Sequence, residues 1–190
     1  MRGVTFALLA WIFLGLELGL KSPLGFGPSG VAPSFMFVLL TYIAMAATPK
    51  QTAWAAIILG VLMDLTNPFT LHGKIQPAVV VGPYALSFLL GSQLVLTLRG
   101  VMIRRNPFTL GFLALVGSIV ASITLVGVFS ARAFLENRDW HATHELWVGM
   151  KCSLYTGIAA VPLALVLMPL GPFLGLPGPQ ARRFARPNSG

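Results

Sequence analysis

Phe108-Thr109-Leu110-Gly111-Phe112-Leu113-Ala114-Leu115-Val116-Gly117-Ser118-Ile119-Val120-Ala121-Ser122-Ile123-Thr124-Leu125-Val126-Gly127-Val128-Phe129 carries no charged side chain. A helix rises ~1.5 Å per residue, and about 20 residues cross the ~30 Å hydrocarbon core of a bilayer. A surface helix in water would show a polar face within two turns. This stretch shows none, so lipid is its solvent. The rest of the chain agrees. Hydrophobic residues make up 56% of the 190 residues, charged residues only 9%, and the mean hydropathy is +0.81. Soluble domains carry about 25% charged residues.

Further apolar runs lie on both sides of this stretch. Helices are expected over Val4–Leu20, Pro33–Ala47, Pro49 to about Asp64, a start between Pro77 and Pro83 running to Leu98, Pro107–Phe129, and Leu146–Met168. Thr48-Pro49 gives a stop and a restart, with Pro49 in a first helical turn. Pro68 ends the third helix, and Pro162 is a tolerated kink in the sixth. Arg2 followed by an apolar run resembles a signal peptide, but no Ala-x-Ala-like site follows, so a retained first helix is the reading. The expected fold class is an all-α polytopic integral membrane protein of six transmembrane helices. It forms one domain over residues 1–170, with a basic, Gly/Pro-rich cytoplasmic tail over 171–190 expected to be disordered.

Net charge is +8 and the pI about 10.6. The basic residues lie in loops and the tail, without the aromatic interleaving of a nucleic-acid surface, so the charge orients helices and meets lipid head groups. With six crossings, one side carries Arg2, Lys50, Arg99, Arg104, Arg105, Arg182, Arg183 and Arg186. The other carries Lys21, Lys74, Arg132 and Arg138, with Lys151 ambiguous. The basic excess places both termini in the cytoplasm. Arg99, Arg104 and Arg105 are expected at lipid head groups or at a cytoplasmic partner. Cys152 is the only cysteine, which excludes an intrachain disulfide; it reads as apolar filler.

Asp64 ends the apolar run Ala53–Met63. A helix restarting at Pro49 needs about 20 residues to cross, which puts Asp64 roughly one turn inside the outer boundary. An intramembrane carboxylate costs about 2.5–3.5 kcal/mol unless something receives it. Asp64 should therefore face protein and accept hydrogen bonds from Thr66, Asn67, Lys74, Tyr84 or the backbone of the 65–76 turn. A role as an Asx-type cap of Leu65–Pro68 is the structural alternative to a partner- or ligand-facing one.

Other chemistry is thin. His141-Ala142-Thr143-His144-Glu145 puts two imidazoles at i, i+3, a spacing that suits zinc on a helix. No third ligand is evident, and the stretch reads as an outer loop of solvated histidines. Glu17 and Asp64 both lie toward the outer face, where paired carboxylates would suit an aspartic-type membrane hydrolase. No motif brings them together, and Glu17 is expected to snorkel from its helix end. Gly-x-Ser-x-Gly, P-loop and His-Glu-x-x-His patterns do not occur. Neither catalysis, a metal nor a cofactor is expected. Gly117-x-x-x-Ala121, Ser118-x-x-x-Ser122, Gly149 and Gly157 mark close helix packing, within the chain in preference to a homodimer.

Gly60-x-x-x-Asp64-Leu65 at one helix end, Gly82-x-x-Ala85-Leu86-Ser87-Phe88-Leu89-Leu90-Gly91 opening the next, then Leu98-Arg99 and Arg104-Arg105, resemble the rod shape-determining protein MreD family over about residues 50–110. The resemblance implies a non-enzymatic scaffold of the bacterial inner membrane. It would bridge periplasmic MreC, cytoplasmic MreB and the wall synthases, RodA and its transpeptidase. It also implies a fold similar to the substrate-binding components of energy-coupling-factor vitamin transporters, with a cavity open to the outer side near Asp64 and the 65–81 loop. Gly60, Asp64, Asn67, Gly82 and Tyr84 are the expected site. The alternative function is a small-molecule-binding membrane component of a transporter, for which Asp64, Asn67, His72, Gln76 and Tyr84 are the available polar groups.

Overall fold

The computed structural model describes residues 3–25, 30–67, 81–100, 102, 106–135 and 141–170. Six helices run through them: α1 (Gly3–Leu20), α2 (Phe35–Ala46), α3 (Pro49–Thr66), α4 (Pro83–Leu98), α5 (Pro107–Leu135) and α6 (Ala142–Leu170). Three of these, α1, α5 and α6, are long and apolar enough to cross a membrane. Of the six spans expected, α2 has only 12 residues and α4 only 16, or about 18 and 24 Å at 1.5 Å per residue. α3 has 18 residues, but Lys50, Gln51 and Asp64 lower its hydropathy.

The helix starts follow from local chemistry. Thr48 caps α3 by accepting from the Gln51 N–H at 3.4 Å, while the Gln51 side chain accepts from the Thr48 N–H at 3.4 Å. This reciprocal box satisfies two donors that a helix start leaves free. Pro49, Pro83 and Pro107 each begin a helix, where the missing N–H costs nothing. The expected ends of α5 and α6 were too short. α5 continues past Phe129 to Leu135, and α6 starts at Ala142 instead of Leu146. Ala131, Arg132 and Ala133 are good helix formers, and a helix leaving lipid no longer needs apolar residues. The stretch 142–145, expected as loop, is therefore the first turn of α6, where Glu145 meets the positive helix end.

α2 is the core of the bundle. Every residue from Phe35 to Ala44 is buried, and α2 packs against each of the other helices. A helix apolar on all sides must be enclosed on all sides. α5 and α6 form a long antiparallel pair held by small residues. The Ser122 hydroxyl lies 3.2 Å from Ser153 Oγ and 3.4 Å from the Gly149 carbonyl. A Cβ on Gly157 would stand 2.7 Å from Leu115 Cβ. The small residues of both helices serve this intrachain contact, and Gly117 packs on Val95 and Phe37.

Candidate functional site

A short helix inside a bundle leaves its end groups away from water, and each free N–H or C=O there needs a partner. Three charged side chains supply such partners from neighbouring helices. The first is Asp64, 2% exposed near the end of α3. Its Oδ2 accepts from the Gly82 N–H at 2.8 Å and the Ala85 N–H at 3.4 Å, and its Oδ1 from the Tyr84 N–H at 3.0 Å. These are start groups of α4, whose own cap residue, Gly82, has no side chain to offer. Asp64 thus caps a different helix from across the interface, with its negative charge on the positive end of α4.

This corrects the expected partners. The Asx-type cap of residues 65–68 is replaced by a cap of α4. Thr66 instead donates back to the Leu62 carbonyl at 3.0 Å, and Lys74 lies outside the described residues. Tyr84 contributes its backbone N–H.

Gly60 and Gly82 complete the joint. A Cβ on Gly60 would fall 2.3 Å from Ala85 Cα and 2.7 Å from its N, so α3 and α4 touch backbone to backbone. Gly82 has φ +130°, a conformation that side chains rarely tolerate. Gly60, Asp64, Gly82 and Tyr84 therefore come together at one α3–α4 joint. Asn67 lies beyond the end of α3: its Nδ2 donates to the Met63 carbonyl at 3.1 Å, and its Oδ1 accepts from Lys21 Nζ at 2.6 Å, which ties α3 to the end of α1.

The second charged cap is Glu17, which was expected to snorkel to the interface. It is buried at 6% exposure and accepts from the Met36 N–H at 3.1 Å, in the first turn of α2. The expectation failed because the start of α2 lies inside the bundle beside α1 and offers donors where lipid would offer none. The Thr156 hydroxyl receives the Ser34 N–H of the same helix start at 2.9 Å. Glu17 and Asp64 each serve a different helix terminus.

The third is Arg99, expected at lipid head groups. Its guanidinium donates to the Ala44 carbonyl and to the Ala47 carbonyl at 2.7 Å, at the end of α2. Charge-assisted bonds are among the stronger protein hydrogen bonds, and here a cation meets the negative helix end. Arg99→Met should lower stability by about 2–3 kcal/mol, because two carbonyls lose a charged donor. Thermal melts in detergent check this, and a melting temperature equal to wild type would show that other donors replace it. Arg104 and Arg105 lie outside the described residues, as do His72, Gln76 and the tail 171–190.

A cavity of about 270 Å³ lies beside Glu17 and the start of α2, bounded by all six helices, with Met63 the contribution of α3. Its polar wall includes Glu17, Lys21, Ser118, Ser153, Thr156 and Glu145; Phe37, Tyr84 and Phe88 form an aromatic side. The cavity was expected near Asp64 and the 65–81 loop, of which residues 68–80 lie outside the described residues. Met63 and Tyr84 reach it, but the Asp64 carboxylate is turned to the α4 backbone. The sequence showed Glu17 only as a snorkelling acid or a partner of Asp64, and Ser118 and Ser122 only as packing residues; Ser153 and Thr156 were not singled out. Glu17 carried a usable signal, an acid inside an apolar helix. The hydroxyls carried none, since Ser and Thr are common packing residues in membrane helices.

No protein family, curated protein or solved structure matches the chain.

Proposed function

We propose that the chain is a non-enzymatic scaffold of the bacterial cell-elongation machinery, of the MreD type. One observation carries this reading. The residues that bear the resemblance, Gly60, Asp64, Gly82 and Ala85, are separated in sequence but meet in one interlocked joint. A shared motif whose parts support one another is better explained as an inherited structural unit than as scattered apolar coincidence.

In this reading the chain crosses the inner membrane six times with both termini in the cytoplasm, in a fold similar to the substrate-binding components of energy-coupling-factor transporters. α2 is short because neighbouring helices shield it from lipid on every side, so it does not need the full apolar length. The partners are MreC-like and MreB-like proteins, RodA and its transpeptidase, and the bilayer. The arginine excess at the inner helix ends favours this orientation.

Depleting the chain from its own rod-shaped cell should round the cells, and the tagged chain should retain an MreC-like protein through purification in mild detergent. Cells that stay rods, together with a chain that retains no such partner, would remove the reading. The cavity favours a second reading, a small-molecule-binding membrane component of a transporter, because a concave, mostly apolar space with a few polar groups in its wall is the usual form of a ligand site.

A further inference from the structure

We propose that the cavity takes a small uncharged aromatic alcohol or amide, held by the Tyr84 hydroxyl. The inference rests on the ligand-binding reading above and supplies its substrate class.

Charge on the wall is already answered within the protein. Glu17 accepts from the Met36 N–H at 3.1 Å, with the Phe35 N–H, the Ser34 hydroxyl and the Lys21 charge beside it. Lys21 Nζ donates to Asn67 Oδ1 at 2.6 Å. Glu145 is exposed, with His144 Nδ1 3.8 Å from its Oε1. A cation or an anion entering from water would lose its hydration and meet only counter-charges that are engaged elsewhere. Burying a charge without a partner is costly. An uncharged molecule avoids that cost.

The Tyr84 side chain is different. Its backbone N–H goes to Asp64, but its hydroxyl makes no hydrogen bond among the described residues. Every sealed side-chain oxygen and nitrogen among those residues has a partner, so the unbonded Tyr84 oxygen is open to a small molecule. It lies within electrostatic reach of Glu17, Cys152 and Glu145, which are all wall residues. The phenol therefore presents a donor to the cavity. The Ser118 and Ser87 hydroxyls donate to the Leu115 and Pro83 carbonyls at 3.0 and 2.7 Å. Each of these oxygens keeps lone pairs. A hydroxyl or an amide both accepts and donates, so one such group can answer Tyr84 and a serine together.

The rest of the wall sets the body. Phe37 and Phe88 stand edge to face at 5.4 Å, and Tyr84 and Phe88 at 6.3 Å. A flat ring extends this array, and aromatic pairs gain beyond the area they bury. A dry apolar cavity of about 150 Å³ holds benzene. Filled to the same degree, about 270 Å³ takes roughly eleven heavy atoms, a fused two-ring body with a short polar arm.

Tryptophol, tryptamine and indole-3-acetate test this, because they share one ring body and differ in the charge of the arm: none, positive and negative. Each is titrated calorimetrically into the full chain in dodecyl maltoside, with empty micelles subtracted. Tryptophol should bind saturably and at least about tenfold more tightly than either charged analogue, a difference of about 1.4 kcal/mol. Tyr84→Phe keeps the ring and the backbone N–H that Asp64 holds, and should weaken tryptophol about fivefold, the usual effect of one neutral hydrogen bond. Ser118→Ala is the second variant and should weaken it by a similar factor.

No saturable tryptophol binding, or a tryptophol affinity unchanged in both variants, would overturn the proposal. So would a charged analogue that binds as tightly as tryptophol, but that result leaves the cavity a ligand site and the ligand-binding reading standing. Failure of all three indoles to bind counts against that reading as well.

Discussion

Gly60→Ala should destabilise the protein by about 3 kcal/mol, at the upper end of what an added methyl costs in a packed core. The added carbon would sit 2.3 Å from Ala85 Cα, 2.7 Å from Ala85 N and 2.9 Å from Tyr84 C. All three atoms are backbone, so no rotamer change relieves the clash. Only separation of α3 from α4 does, and that pulls Asp64 away from the N–H groups it holds. The clash and the lost cap therefore compound.

Two other helical glycines calibrate the effect. Gly15 in α1 and Gly127 in α5 have no atom within 4 Å of an added Cβ. There the same substitution should be neutral or slightly stabilising, since alanine is the better helix former by up to about 1 kcal/mol. Melts of Gly15→Ala, Gly127→Ala and Gly60→Ala in one detergent give the comparison directly. If Gly60→Ala melts with the other two, the backbone contact between α3 and α4 is not present in the folded protein.

The parts of this architecture that sequence reading reached, and those it did not, divide along a physical line. Helix starts at Pro49 and Pro107, and the helix end at Leu98, were legible because proline and capping residues act over a few neighbouring positions. The burial of Asp64 was legible because a carboxylate at that depth has only one tolerable environment. Of its partners only Tyr84 was expected, and it contributes its backbone N–H; Gly82 and Ala85 were not, because they lie 18 and 21 positions onward and offer backbone groups that carry no residue signature.

The central place of α2 was invisible for a different reason. In water, a buried helix is told from a surface helix by its missing polar face. In lipid, both are apolar. The sequence Phe35–Ala46 reads the same whether it meets acyl chains or five other helices. Glu17 illustrates the consequence: nothing in its sequence neighbourhood reveals the α2 start beside it, which receives its carboxylate through the Met36 N–H. The three charged caps together indicate why this bundle retains charge inside lipid-like surroundings at all. The start of α4 and both ends of α2 lie against neighbouring helices, and Glu17, Asp64 and Arg99 bring charge to them.

Asp64→Ala should be the most damaging single truncation of a polar side chain, because it orphans three N–H groups at once. Each buried donor left without a partner costs about 1–3 kcal/mol, and solvent reaches the half-buried Gly82 and Tyr84 only in part. A loss of about 3–5 kcal/mol follows. Asp64→Asn separates geometry from charge. Its amide oxygen still accepts from one side, but its NH2 group confronts an N–H where Asp64 presents a second oxygen. The charge that favours the positive end of α4 is also lost. Asn should therefore fall between wild type and Ala, nearer to Ala.

The order of the three melts distinguishes a cap from a docking residue. A residue that only contacts a partner protein leaves the isolated chain's stability unchanged when removed, and the loss then appears in partner retention alone. A cap loses stability first, and partner retention falls in proportion to the folded fraction. If Asp64→Ala melts like wild type yet fails to retain an MreC-like partner, the carboxylate belongs to an interface and the α3–α4 cap contributes nothing measurable. If stability falls in the order Asp, Asn, Ala, with partner binding following the folded population, Asp64 acts by building the surface and does not itself touch the partner.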